Sequence, residues 1–310
     1  MISFYGFLNK DALGPLLRTL YRMGLYRKAK IEGGDIFVNL FDPRGLSIYK
    51  AKAYSSGSGE QLPKLWRASL TLNPSYFLDI GANYGEISLT TRYPKSVKKI
   101  YLIEPNPNLV KALEKSAAIH PASKKIKIIK KAMSDRDNQR VEFTVPFTSS
   151  GLGSIKVTRL YNDLGKQHFE VLTSNLDSLL KNIASKVIVV KIDVEGAELD
   201  VLKGARKTMS NNKCLIFLEI SSIYLEQLKL SLPKVFEYLN SIGYLYYPDG
   251  KRNDFILLKN KTYEQIWSIF SERGLLSSYY KRNDSIIGDF ILFSNKFKKT
   301  EINKFLLSAG

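Results

Sequence analysis

The chain has 310 residues and a single cysteine, Cys214, so no disulfide can form within it. A reducing compartment is compatible with that usage. Cys214 lies in the apolar run CLIFLEI and reads as a small buried residue. Histidine is almost as scarce. His120 follows a helical pattern and His168 stands near a strand start, so both read as structural rather than catalytic. No apolar run is long enough to span a bilayer. The first residues, MISFYGFLNK, lack an apolar stretch ahead of a small-residue cleavage site. The expectation is a soluble, cytoplasmic chain, or one lying peripherally at a membrane. Acidic residues are also short, 29 against 47 Lys and Arg, for a net charge of +18. That balance favours anionic partners such as headgroups, acidic glycans, nucleic acid or a phosphorylated carrier, without choosing among them. Hydrophobic residues make up 44%, which excludes a disordered chain and supports a core.

What is present divides near residue 73. Residues 1–31 show apolar positions at helical spacing, Leu13, Leu16, Leu17, Leu20 and Met23, among Arg18, Arg22, Arg27 and Lys28. They read as one or two basic amphipathic helices, packed on the domain or resting on an anionic membrane. Two alternating runs flank FDPRG within residues 35–50, a pattern that predicts a β-hairpin. SSGSG, residues 55–59, is a flexible break. Residues 1–72 thus form a helical and hairpin extension to a main domain at 73–310. In that domain strands and helices alternate. YFLDI, KIYLIE, KIKIIKKA, VIVVKID and CLIFLEI read as strands. Residues 85–93, 107–119 and 175–183 read as helices, as does a segment near Glu198. KRNDFILL and KRNDSIIGDFILF read as two strands with similar edges, separated by a helix over 263–273. Strands this apolar fit a mostly parallel sheet covered on both faces, in a doubly wound α/β fold.

Such sheets bind ligands beyond the carboxyl ends of their strands. Gly81 and Gly85 follow the first strand there, and glycine lets backbone turn sharply and approach a ligand. Asp79 at the strand end can orient loop amides or reach an ammonium through water. The second strand ends in IEPN, which places Glu104 where a ribose with two free hydroxyls would lie. A dinucleotide fold prefers G-x-G-x-x-G. Here the order is G-A-N-Y-G, and Glu86 stands where it would repel a phosphate. A phosphate-free cofactor such as S-adenosylmethionine fits better. After the third strand, Met133 could cover adenine while a backbone amide or Asp135 reads its amino group; an ordinary turn explains the segment as well.

The densest chemistry is VVKIDVEGAELDVLKGA, residues 189–205. Glu198 is explained as an acid at a helix start. Asp193 is not, because a carboxylate at the end of a buried strand needs solvent or a partner. Asp193 or Glu195 could accept the proton of an alcohol. Glu219, in LEIS, is a secondary candidate. Asp193, Glu195 and Glu219 could gather around Mg²⁺, but spacing shows no convergence, and no metal is expected. The Ser- and Gly-rich loop at 147–155 reads either as a cover for the pocket or as a surface connection.

FLDIGANYGEISL, YLIEPNP, LTSNLDSLL, KIDVEGAELDVLKGA and CLIFLEIS occur in the order found in FkbM-type methyltransferases, which the chain resembles over residues 35–295. The resemblance implies a Rossmann-like class I methyltransferase fold and S-adenosylmethionine as donor. It also implies O-methylation, often of a sugar hydroxyl in a glycan, glycolipid or natural product. By motif, Asp79, Gly81, Ala82, Asn83 and Gly85 would contact the methionine end. Glu104 and Pro105 would face the ribose, and Met133 and Ser134 would flank adenine. Asp193 and Glu195 would stand beside the transfer site. The charge and the basic N-terminus are not explained by it. They keep an RNA methyltransferase in view, and a non-catalytic binding module on the same fold is a further alternative.

Overall fold

The structure is a computed structural model and describes residues 19–53, 61–147, 149–156, 165–279 and 282–310. The strands, in chain order, begin with β1 (Tyr26–Ile31), β2 (Gly34–Asn39), β3 (Tyr76–Ile80), β4 (Lys99–Ile103) and β5 (Ile126–Ile129). Next come β6 (Ala132–Met133), β7 (Arg140–Pro146), β8 (Lys166–Ser174), β9 (Val187–Ile192) and β10 (Lys213–Ser221). The last are β11 (Gly243–Asp249), β12 (Asp254–Leu257), β13 (Ser277–Tyr279), β14 (Arg282–Ser285) and β15 (Ile287–Ser294).

The main sheet runs β12-β11-β15-β10-β9-β3-β4-β5. Neighbours from β10 to β5 are parallel, whereas β15 and β11 enter antiparallel. The chain winds outward from β3 through β4 to β5, then returns on the other side of β3 as β9 and β10. This is the expected mostly parallel, doubly wound α/β fold, and its switch point lies between β3 and β9. Side chains alternate across the sheet. Phe77, Leu215 and Phe217 face one apolar cluster; Leu78, Ile80, Ile216 and Leu218 face the other. Cys214 is buried in the second.

The first cluster is closed by the N-terminal segment. Ile36, Val38, Ile48 and Trp66 pack into the same core as Phe77 and Phe217. The Trp66 ring lies 5.1 Å from Phe77 and 6.0 Å from Phe217. The helix Lys299–Ala309, which the sequence reading did not anticipate, adds Phe305 at 5.5 Å from Phe293. Among the described residues no helix is long and apolar enough to cross a membrane.

Several local expectations are corrected. Residues 1–18 and 54–60 lie outside the described residues, so most of the predicted amphipathic helix and the SSGSG break are not tested. Residues 19–23 are helical, but Tyr26–Ile31 is a strand. Gly24, at φ +72°, ends the helix, and the hairpin is β1–β2, turning at Glu32–Gly33. FDPRG is no hairpin turn. Asp42 caps the helix Pro43–Ala51 by accepting the Arg44 N–H, and Pro43 opens it. Residues 85–93 form turns rather than a regular helix. There the Thr90 and Thr91 hydroxyls bond back to the carbonyls of Glu86 and Ile87. The helix at 175–183 shrinks to Leu176–Leu179, capped by Asn175. The two KRND pieces also part company: β12 is the sheet edge, whereas β15 lies inside the sheet.

Asp42 does more than cap. Its carboxylate, fully buried, accepts the Tyr84 hydroxyl at 2.6 Å and the Ser150 hydroxyl at 2.5 Å. It thereby ties the N-terminal helix to the glycine loop and to the loop at 149–153. Asp42→Ala removes a cap and leaves two buried hydroxyls unpaired, so chemical denaturation should show a loss of roughly 2–4 kcal/mol. A loss below about 1 kcal/mol would mean that these bonds add little to the cap alone.

Candidate functional site

The cleft opens at the switch point, beyond the carboxyl ends of the parallel strands. Backbone geometry builds its floor. Gly81 turns at φ +74°, and a Cβ there would stand 1.8 Å from the Asp193 carbonyl oxygen. Its N–H and that of Ala82 both donate to the Ile103 carbonyl, at 3.0 and 3.1 Å. The loop is thus pressed between the ends of β4 and β9. Asn83 also takes positive φ, +50°, and its N–H donates to Glu104 at 2.9 Å. The second Glu104 oxygen accepts the Asn106 N–H at 2.9 Å. Burial pushes the Glu104 carboxyl up to about 7. Asn83 Oδ1 is buried with no hydrogen-bond partner, on a residue that lines the cleft.

Lys191 supplies the partner that Asp193 required. Its ammonium lies 3.0 Å from Asp193 Oδ2 and 3.6 Å from Asp79 Oδ1, and donates to the Gly81 carbonyl at 3.1 Å. Asp79 also accepts the Ser88 hydroxyl at 2.8 Å. Burial works to raise the Asp193 carboxyl, but Lys191, with a bond from Glu219 and the charge of Arg44, holds the group below its ordinary value. Glu195 sits at φ +55°, a conformation unfavourable for a side chain with a Cβ. Burial, then the Asp193 charge, push its carboxyl up to about 8, and Tyr224 bonds to it. Glu198 shapes this turn by accepting the Val194 and Gly196 N–H groups at 3.1 and 3.0 Å. Glu219 comes from β10, whose register sets Leu218 beside Ile192. Burial and the two neighbouring acids raise it well above the ordinary range. Asp193, Glu195 and Glu219 each bring an oxygen within 4.8 Å of the others, a convergence invisible in chain spacing.

The cleft measures about 900 Å³. Asp79, Gly81, Ala82, Asn83, Glu104, Pro105, Met133, Asp193 and Glu195 all line it. Three residues singled out from the sequence, Gly85, Ser134 and Asp135, do not. Gly85 turns behind the loop at φ +74°, where a Cβ would meet Leu89 at 2.5 Å. Ser134 is turned aside, its hydroxyl donating to Asp135 and its N–H to the Ser174 carbonyl. The loop at 149–153 lines the cleft, and Ser154 donates to the Glu195 carbonyl at 2.7 Å. Thr148 within this loop lies outside the described residues. Both histidines stay out of the cleft. His120 Nδ1 accepts the Ala122 N–H, so Nε2 donates to the Thr91 carbonyl. Residues the sequence reading did not single out include Arg44, Tyr224, Tyr247 and Asp289, all at the cleft wall. Arg44 donates to Glu86 at 2.8 Å. Its motif signal was the Asp42–Pro43 helix start, which places the next residue but not what it faces.

The donor set suits a cationic, phosphate-free cofactor. A cleft floor built of carboxyl groups, with Asp193 held ionised, disfavours a pyrophosphate and favours a sulfonium and an ammonium. Glu104 and Asn83 offer acceptors to ribose hydroxyls or an amino group. Gly81→Ala should abolish binding of S-adenosylmethionine in calorimetry while far-UV circular dichroism still shows a folded chain. Unchanged affinity would mean that the loop does not pass beneath Asp193 as described.

The sequence matches the family described as the methyltransferase FkbM domain over residues 79–246. Among curated proteins none matches the chain. Solved structures do. A precorrin-6y C5,15-methyltransferase from Geobacter metallireducens GS-15 is 10% identical with a TM-score of 0.36, covering 80% of this chain and 95% of that one. The StiE O-MT fragment is 10% identical with a TM-score of 0.41, covering 81% and 78%. An O-methyltransferase from Klebsiella pneumoniae, titled putative, is 9% identical with a TM-score of 0.33, and the chain covers 60% of its length. At such scores and identities none of them bears on the reaction. The family match spans more than half of the chain and takes in Asp79, Glu104, Asp193, Glu195 and Glu219. On that match the chain belongs to the methyltransferase FkbM domain family, which implies S-adenosylmethionine as its methyl donor.

Proposed function

We propose that the protein is an O-methyltransferase acting on a sugar hydroxyl of a glycan, glycolipid or natural product. The observation that carries this reading is Glu195: a carboxyl held at the cleft in a strained backbone, raised to about 8, beside an ionised Asp193. S-adenosylmethionine, when bound, supplies an electrophilic methyl group on a positively charged sulfur. Glu195 takes the hydroxyl proton as the oxygen–carbon bond forms and the carbon–sulfur bond breaks. Asp193 stays ionised under Lys191 and keeps the field negative beside the reacting atoms. Burial and the neighbouring acids push the Glu219 carboxyl up, and it bonds to Asp193. Tyr224 steadies the Glu195 carboxyl. Alignment of oxygen and methyl in this cleft supplies much of the rate.

A sugar suits the wall opposite the glycine loop. Tyr224 and Tyr247 line the cleft together with Gln61, Ser221 and Asp289, a mix of aromatic and hydrogen-bonding side chains of the kind that binds sugars. The charge of +18 favours an acceptor carried on an anionic glycan or lipid, or a contact with an anionic membrane. It also motivates the RNA alternative. Of the basic residues around 92–131 that motivate it, Lys98, Lys99, Lys124 and Lys125 cluster where β4 and β5 begin, the end of the sheet away from the cleft, while Lys131 lines the cleft.

Incubated with a methyl-labelled donor, the protein should label saccharide hydroxyls; labelled RNA with no labelled saccharide would contradict the proposal. Activity should rise with pH. Glu195 acts as a base only when deprotonated, so kcat/KM should climb through about 8 and then level. The bound donor's positive charge should move that limb toward neutrality in kcat. Glu195→Gln should cost about 10²–10⁴-fold in rate and erase the limb. Retention of the limb would transfer the role to another group.

A further inference from the structure

Arg44 lines the cleft and has no part in the proposed proton transfer. Its side chain is 22% exposed and comes from the helix Pro43–Ala51, outside the matched family region. One nitrogen, Nη2, donates to Glu86 at 2.8 Å. Nε is buried with no hydrogen-bond partner, and no bond from Nη1 is formed among the described residues. Nη1 therefore leaves N–H donors uncommitted on a guanidinium at the cleft wall, a group that suits a carboxylate.

The other cations at the cleft are committed. Lys191 is held by Asp79, Asp193 and the Gly81 carbonyl. Lys131 donates to Asn138, and Lys251 to the Gly274 carbonyl. A ligand anion entering among so many carboxylates needs a cation beside it, and Arg44, whose charge is shared with Glu86 and Asp193, lines the cleft. It also answers the objection raised by Glu86. That acid directly follows the glycine loop and would repel a nearby anion, but Arg44 pairs with it and neutralises it. Arg44 is firmly placed. Asp42, one residue before Pro43, is locked to Tyr84 of the glycine loop and to Ser150. Gly151 leaves room on the other side, since a Cβ there would stand 3.0 Å from Arg44 Nη1.

We infer that Arg44 receives the α-carboxylate of the methyl donor's amino-acid portion, at the end of the glycine loop, while the cleft carboxylates face its ammonium and sulfonium. The inference rests on S-adenosylmethionine being the donor. It makes the N-terminal extension part of the cofactor site.

The test is equilibrium binding, by calorimetry without acceptor, of S-adenosylmethionine and of its decarboxylated form to wild type, Arg44→Gln and Arg44→Lys. Wild type should prefer the carboxylated donor by on the order of tenfold to hundredfold, the span of a charge-assisted hydrogen-bond pair. Arg44→Gln should bind the decarboxylated donor about as wild type does and lose the preference; Arg44→Lys should keep part of it. Equal weakening toward both donors would show a merely structural role and overturn the inference. So would a preference that survives in Arg44→Gln. Wild type binding neither donor would sink the cofactor reading itself, a result separate from any effect of the substitution.

Discussion

One buried ammonium holds the site together. Lys191 lies on the central strand β9 and touches the ends of two loops at once. Through Asp79 and the Gly81 carbonyl it fixes the turn that leaves β3; through Asp193 it fixes the turn that leaves β9. Burying an unpaired carboxylate is costly, and burying two beside each other costs more. A single cation between them makes the arrangement tenable. It also sorts the acids. Asp193 is kept ionised, and burial first, then the Asp193 charge, pushes Glu195 and Glu219 upward. Groups of one kind, a few ångströms apart, so acquire different protonation states and different tasks.

The N-terminal extension and the sheet are one construction around that centre. Ile36, Val38, Ile48 and Trp66 cover a face of the sheet that would otherwise be exposed. The same segment delivers Asp42 and Arg44 to the cleft. Asp42 clamps three pieces that are distant in sequence: the helix start, Tyr84 and Ser150. Ser154, a little further on, anchors the carbonyl of Glu195. The loop at 149–153 therefore serves as a wall of the site, which decides between the two readings its composition allowed.

Much of the fold was legible because its strands carry their own signal. YFLDI, KIYLI, VIVVKI and CLIFLEI are short apolar runs rich in β-branched residues and leucine. Asn106–Pro107 marks a helix start that the structure confirms. Asp42–Pro43 carries the same signature, yet DPRG equally resembles a turn, and composition alone could not separate the two. The turns at 85–93 follow from threonine hydroxyls taking backbone carbonyls, a competition that a periodic apolar pattern hides. In the site, the glycine loop and the Asp193 motif could be read because each is contiguous. Glu219 joins Asp193 only through the parallel register of β9 and β10. Arg44 arrives only because a helix from another part of the chain folds across the loop.

The most direct measurement of the central claim is the unfolding free energy of Lys191→Met against wild type, followed from neutral to acidic pH. The substitution keeps the side chain's bulk and removes its charge. Near neutrality it should cost roughly 3–5 kcal/mol, since one partner of a buried ion cluster is gone. The gap should close as acid protonates Asp79 and Asp193, which no longer need a counter-charge. A difference below about 1 kcal/mol near neutral pH, or one that stays constant into acid, would contradict the account.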